Sequence, residues 1–329
     1  MSYDVIGIEN PLIDLLAQVP DSFLAQQKLE KNHMMLVDRQ QHQALLAALD
    51  GTPVQTAPGG SCANTLLGIA QLGGKAAYCG KVGHDQMGDD YVEKLEAAGV
   101  RSYIRNNGDI TGSTVILITP DAARTMNTHL GACQQLGPED VPLDVVKSAK
   151  LLYITGYLWD TETQKEAAML ALRTAGAEGV HVAMSLSDPF CVNRHHQDFR
   201  EILDGYVDIV FANQEEALAL TETESTHEAM HVLRGWCNGA VITLGARGAY
   251  VSLGEEHIYL DPHPVRAVDT TGAGDAFAAG FLYGHTTGQS LFQCGRLGSL
   301  FAAQVIQKVG PRLEGDVRAQ LAAVLEDPR

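Results

Sequence analysis

Four consecutive residues, Gly272-Ala273-Gly274-Asp275, could carry the chemistry that the rest of the chain must serve. They run into an apolar stretch in which the small Ala278, Ala279 and Gly280 lie between Phe277 and Phe281. That pattern predicts a closely packed helix. The two glycines let the chain bend sharply at its start and bare backbone N–H groups. Free N–H groups at the positive end of a helix dipole make an anion site. A carboxylate placed there, Asp275, is expected to be strongly anionic. Beside a bound phosphate it can accept the proton of an attacking hydroxyl. The plainer alternative is that Asp269 or Thr271 caps the helix and the glycines only shape a loop.

Other residues could complete such a site. Asp4 to Ile8 reads as a buried strand that ends in Glu9-Asn10-Pro11-Leu12-Ile13-Asp14. Open α/β sheets place ligands at the carboxyl ends of their strands. An amide and a carboxylate, Asn10 and Asp14, suit a vicinal diol; a turn with a capping Asp is the alternative. Gly59 and Gly60 precede a helical run and let a flat substrate approach the backbone, with Asn64 one turn further on the same side. Asn213 and Glu216 lie three apart after the strand-like run Val207 to Phe211. Such a pair can orient water around Mg²⁺, or simply form a capping box.

The string Asp269-Thr270-Thr271-Gly272-Ala273-Gly274-Asp275 resembles the C-terminal signature of the ribokinase-like (PfkB) carbohydrate and nucleoside kinases. Gly59-Gly60, together with Gly80-Lys81-Val82-Gly83-His84-Asp85-Gln86-Met87-Gly88, resembles their N-terminal signature. Two signatures in the right order speak against coincidence. The resemblance implies a backbone anion hole at Gly272, Ala273 and Gly274, with Asp275 as catalytic base. It implies that Thr243, Gly245, Gly248 and Asn213 bind ATP and that Glu216 acts on Mg²⁺ through water. It also implies that Asp269 and Thr271, with the loop Val309-Gly310-Pro311-Arg312, enclose a monovalent cation such as K⁺. Asn10-Pro11-Leu12-Ile13-Asp14 is similar to a segment of the adenosine kinases in which the Asp holds ribose hydroxyls. In those members an Arg follows the turn found here at Pro120-Asp121 and reaches the transferring phosphate, which gives Arg124 a catalytic role.

The implied fold is a doubly wound, mostly parallel α/β sheet flanked by helices, with a small β-sheet lid. The lid is expected from segments of about 12–40 and 105–132 within a single domain of residues 1–329, with Met34 or Leu36 against the substrate. The sequence supplies matching elements. Lys150 to Thr155 and Val180 to Leu186 read as core strands joined by an amphipathic helix, Glu162 to Ala175. Ala240 to Leu244 leads into a hairpin, Gln40 to Leu49 reads as a helix, and Gly288 to Ile306 as a helical pair. Asp188-Pro189-Phe190 could line the cleft or be a plain turn.

A net charge of −17 argues against nucleic acid and against a basic membrane face. No stretch approaches the ~20 apolar residues of a membrane span, and the N-terminus lacks a basic start, so a cytoplasmic chain is expected. Six scattered cysteines without a Cys-x-x-Cys pair predict reduced thiols and no zinc site. His195-His196 reads as a surface pair. The expected activity is therefore ATP-dependent phosphorylation of a nucleoside 5′-hydroxyl, adenosine to AMP in purine salvage. A ribose- or fructose-type sugar kinase, an inosine–guanosine kinase and a non-catalytic nucleoside-binding protein are the alternatives. Composition decides nothing about oligomeric state.

Overall fold

The computed structural model describes residues 2–121, 123–308, 310–312 and 317–325. Val309, at the head of the expected cation loop, lies outside them. Short β-rich runs joined by helices build a nine-stranded sheet, seven of whose strands are parallel. From one edge the parallel strands are Gly239–Thr243, Ile209–Asn213, His181–Ser185, Leu151–Thr155, Val5–Ile8, Ala76–Cys79 and Val100–Ser102. The antiparallel strands Ala249–Leu253 and Glu256–Leu260 extend the first edge.

Strand alternation divides the core into two layers. Ile6, Ile8, Leu152, Ile154, Val182 and Met184 point to one face, against the helices Glu162–Glu178, His196–Gly205 and Thr226–Trp236. Val5, Leu151, Tyr153, Ala183 and Phe211 point to the other, against Ser61–Leu72 and Ala273–Thr286. The small residues of the latter helix, Ala276 and Ala278 to Gly280, are all buried, as close packing requires. The range expected to hold a helical pair after Gly288 holds one helix, Leu291–Val305, which packs against Ala273–Thr286. Among the described residues no helix is long and apolar enough to cross a membrane.

The chain order of the parallel strands reverses between Val5–Ile8 and Leu151–Thr155. A doubly wound sheet opens a crevice at that switch, beyond the carboxyl ends of its strands. A five-stranded sheet stands over the same end, in the order Met34–Leu36, Arg124–His129, Ser113–Ile118, Ile13–Gln18 and Val54–Pro58. Its edge strand Val54–Pro58 falls outside the two segments expected from sequence, because its exposed Val54, Gln55 and Thr56 lack the alternation of a half-buried strand. One face packs Leu15, Ala17, Val115 and Leu117 onto Leu24, Leu45 and Leu49. Asp14, Leu16, Gln18, Thr114, Ile116, Ile118, Arg124 and Met126 alternate onto the other face, toward the crevice.

Candidate active site

The crevice gathers carboxylates that are half-buried or fully buried. Helix Ala273–Thr286 begins after Gly272, whose φ of 76° is a left-handed conformation that suits glycine. No side chain caps this helix, so its first-turn amides are available to an anion. Asp269 does not cap it either. Its Oδ1 accepts from the Thr271 N–H at 3.0 Å and so shapes the approaching loop.

Asp275 lies in the first turn, where helix Ser61–Leu72 packs alongside. Its Oδ1 accepts from the Ser61 hydroxyl at 2.5 Å and its Oδ2 from Asn64 Nδ2 at 2.9 Å. Burial outweighs these two hydrogen bonds and pushes its pKa up to about 6. The expectation of a strongly anionic group is corrected by this: desolvation dominates over the favourable donors. A carboxylate poised near neutrality is better matched to accepting a proton than one of ordinary acidity.

Gly59 and Gly60 sit at the foot of the same helix. A Cβ on Gly59 would meet the Asp14 carboxylate at 2.4 Å, so the glycine admits Asp14 to the crevice. The Asp14 pKa is raised to about 7 by burial, which outweighs the cations Arg312 and Arg124. Asn10 is placed differently from its expected partner. It is 3% exposed, and its side-chain oxygen accepts from the buried Gln164, so it is tied to the scaffold rather than open beside Asp14.

Thr243, Gly245 and Gly248 line a cavity of about 330 Å³ together with Ala273, Gly274, Phe277 and Thr270. The loop after strand Gly239–Thr243 is thereby continuous with the amide-rich helix start. A larger cleft of about 850 Å³ runs between Gln18, Ile118 and Arg124 of the small sheet and the loop Ala267 to Thr271. Across it Arg124 is ion-paired with Asp269, whose Oδ2 also accepts from Gly310 N–H at 2.8 Å. Although burial opposes it, these donors hold the Asp269 carboxyl below its usual pKa. The residues expected to serve a phosphate and a cation separately are thus bonded to each other.

Asn213 and Glu216 form the capping box that their spacing allowed. Asn213 Oδ1 accepts from Glu216 N–H at 2.9 Å, and Glu216 Oε1 and Oε2 accept from Asn213 Nδ2 at 2.5 Å and Asn213 N–H at 2.9 Å. Glu216 is 5% exposed, and burial raises its pKa to about 7. Asn213 is the exposed member of the pair.

Three residues escaped the sequence reading. Ser61 hides between the signature glycines and Asn64, and only its place beside Asp275 reveals it. Arg312 donates to the Pro58 carbonyl at 2.8 Å and lends positive charge to Asp14 from a distant part of the chain. His195, expected at the surface, instead bonds Asp160 at 2.9 Å beside Arg194. Asp160, Cys191 and His195 are the one group among the described residues spaced for a metal, but Arg194 already neutralises Asp160. Phe190 is 39% exposed, and its ring centroid lies 4.4 Å from that of His33, next to strand Met34–Leu36.

Comparison with known proteins places the chain in a family. Residues 34–316 match the model of the pfkB family of carbohydrate kinases. An adenosine kinase of Saccharomyces cerevisiae is 30% identical, over 94% of this chain and 97% of its own. Two solved structures are each 42% identical over 98% of this chain. They are a probable sugar kinase protein from Rhizobium etli, covered over 100% of its length with a TM-score of 0.92, and an adenosine kinase from Sinorhizobium meliloti, covered over 99% with 0.91. The fold is therefore ribokinase-like, the activity is phosphoryl transfer to a hydroxyl, and this chain belongs to the pfkB family of carbohydrate kinases.

Proposed function

We propose that the chain is an ATP-dependent kinase that phosphorylates the 5′-hydroxyl of a nucleoside, with adenosine as its preferred acceptor. The observation that carries this reading is a row of apolar side chains on the crevice face of the small sheet. Met34, Met126, Ile116 and Leu16 stand side by side in register across four strands. The adjacent row carries Asp14, and Phe190 packs on His33 beside Met34. An apolar slot beside a carboxylate suits a flat base joined to a diol. A free sugar, with hydroxyls all round, would leave the slot unfilled. The choice of adenosine within the nucleosides rests on the similarity to adenosine kinases, since apolar contacts discriminate weakly between bases.

In this reading Asp14 accepts from the ribose hydroxyls, and Asp275 takes the proton of the 5′-hydroxyl as it attacks the phosphorus in line. Ser61 and Asn64 fix the Asp275 carboxylate. The backbone of Gly272, Ala273 and Gly274 stabilises charge on the transferring group. Thr243, Gly245 and Gly248 hold the nucleotide, and Arg124 reaches the phosphate once released from Asp269. Mg²⁺ would neutralise phosphate charge. Exposed Asn213 fits a role toward its water shell, whereas Glu216, with both oxygens bonded, fits only behind it. While Arg124 is paired with Asp269 that carboxylate has no room for a monovalent cation; it would be open to one only after Arg124 has moved to the phosphate. The small sheet acts as a lid that excludes water. Six free, buried thiols suit a reducing cytoplasm, where such an enzyme would return adenosine to AMP in purine salvage.

The Asp275→Asn variant, incubated with ATP, Mg²⁺ and adenosine, should yield no 5′-monophosphate by ³¹P NMR while still binding adenosine in calorimetry. Unchanged turnover would remove Asp275 from the base role.

A further inference from the structure

Glu9 is a buried carboxyl group that the mechanism above does not use. It follows strand Val5–Ile8 directly, at the point where the strand order of the sheet reverses. It is 1% exposed and so touches neither acceptor nor nucleotide. Both of its oxygens are engaged. Oε1 accepts from the Thr155 hydroxyl at 2.7 Å, and Oε2 accepts from the Cys62 N–H at 2.7 Å. Thr155 ends the neighbouring strand Leu151–Thr155, across the switch point. Cys62 is the second residue of helix Ser61–Leu72.

That helix has an unusual start. Its N-cap is Gly60, with φ 97°, and no side chain next to it in sequence caps the helix. A first-turn N–H group is normally satisfied by a Ser, Thr, Asp or Asn at the N-cap. Here the acceptor comes from Glu9, 53 positions away in sequence. Gly60 makes the approach possible, because a Cβ there would stand 3.3 Å from Glu9 Oε2 and 2.9 Å from the Asn10 carbonyl. The helix start that Glu9 holds carries Ser61 and Asn64, the two donors that fix the two oxygens of Asp275.

We propose that Glu9 is a positioning residue for phosphoryl transfer: it caps helix Ser61–Leu72 from the floor of the crevice and thereby sets Ser61 and Asn64 against the Asp275 carboxylate. The charge environment is consistent with a floor group of this kind. Burial, with Asp275 nearby adding to it, pushes the Glu9 pKa up to about 8, so Glu9 adds little negative charge beneath Asp275 at neutral pH. The role rests on Asp275 being the base, and the test separates the two.

The test is a double-mutant cycle between Glu9→Leu and Ser61→Ala, with Asp275→Asn alongside. Turnover is measured with ATP, Mg²⁺ and adenosine at pH 7.5, and folding is followed by thermal unfolding. Glu9→Leu roughly keeps the volume but offers no acceptor to either the Thr155 hydroxyl or the Cys62 N–H. It should lower kcat by about 10- to 100-fold, as expected for a small misplacement of reacting groups. The KM values for adenosine and ATP should stay within about threefold. Because Glu9 acts through Ser61 and Asn64, the double variant should lose far less than the product of the two single losses. Thr155→Val, which frees Glu9 from its other side, should show a milder loss of the same kind and covers the case in which Glu9→Leu folds poorly. Multiplicative losses, or a loss confined to KM, would overturn the positioning role while a dead Asp275→Asn leaves the base intact. Full turnover in Asp275→Asn would overturn both.

Discussion

Replacing Ser61 by Ala removes the 2.5 Å hydrogen bond from the Asp275 carboxylate and leaves the 2.9 Å bond from Asn64. The Ser61 hydroxyl favours the ionised carboxylate, so its loss raises the Asp275 pKa. A hydrogen bond to a charged group contributes about 1.5–3 kcal/mol. At about 1.4 kcal/mol per pH unit that moves the pKa by roughly 1–2 units, from about 6 toward 7 or 8. In the proposed mechanism Asp275 works deprotonated, so activity is lost as pH falls through this pKa. The acid limb of kcat/KM should therefore move from near pH 6 to between about 7 and 8, and turnover at pH 6.5 should fall about 3- to 25-fold from ionisation alone. The limiting rate at high pH should fall as well, since the carboxylate keeps only one fixed contact. A coupled assay of ADP release between pH 5 and 9, with adenosine as acceptor, reads both quantities. An acid limb that stays near pH 6, or moves lower, would refute the reasoning.

Two glycines make a contrasting pair. In Gly59→Ala the atoms nearest the new methyl are those of the Asp14 side chain, so adenosine KM should rise more than about tenfold with the melting temperature nearly unchanged. In Gly248→Ala the methyl meets the Leu260 carbonyl oxygen at 1.9 Å, at a φ of 94°, so about 2–4 kcal/mol of stability should be lost and the ATP KM should rise. Chemical denaturation and steady-state kinetics distinguish the two. The ligand-free protein should lose stability as pH rises. Glu9, Asp14 and Glu216, raised to about 8, 7 and 7, hold protons more tightly folded than unfolded, so the folded state is favoured below about pH 4–5 for these groups and penalised as pH climbs through 7 and 8. The melting temperature should fall by roughly 10 °C between pH 5.5 and 8.5. A flat or rising profile would contradict the burial argument.

What the sequence shows of this molecule follows from how local each signal is. The uncapped helix start after Gly272 and the capping pair Asn213 and Glu216 are contiguous or nearly so, and residue type with spacing is enough to read them. The core strands are readable because residues buried on both faces give continuous apolar runs. Val54–Pro58 is not, because an exposed edge strand lacks any such pattern. The Ser61 contact with Asp275 spans 214 positions, and the Arg124 pairing with Asp269 spans 145. No local pattern encodes either contact, and the chain must fold to bring them together. The same holds for Asn10, whose partner Gln164 turns it toward the scaffold. Asp275 shows a further limit. Its helix-start position argued for a low pKa, while the burial that sets the actual balance is a property of the packed crevice.

The most direct test of the account is the acceptor panel: ADP release from ATP and Mg²⁺ with adenosine, inosine, guanosine, cytidine, ribose and fructose. The apolar row beside Asp14 predicts efficient turnover with adenosine and little with either free sugar. Efficient turnover with ribose or fructose and none with any nucleoside would contradict it.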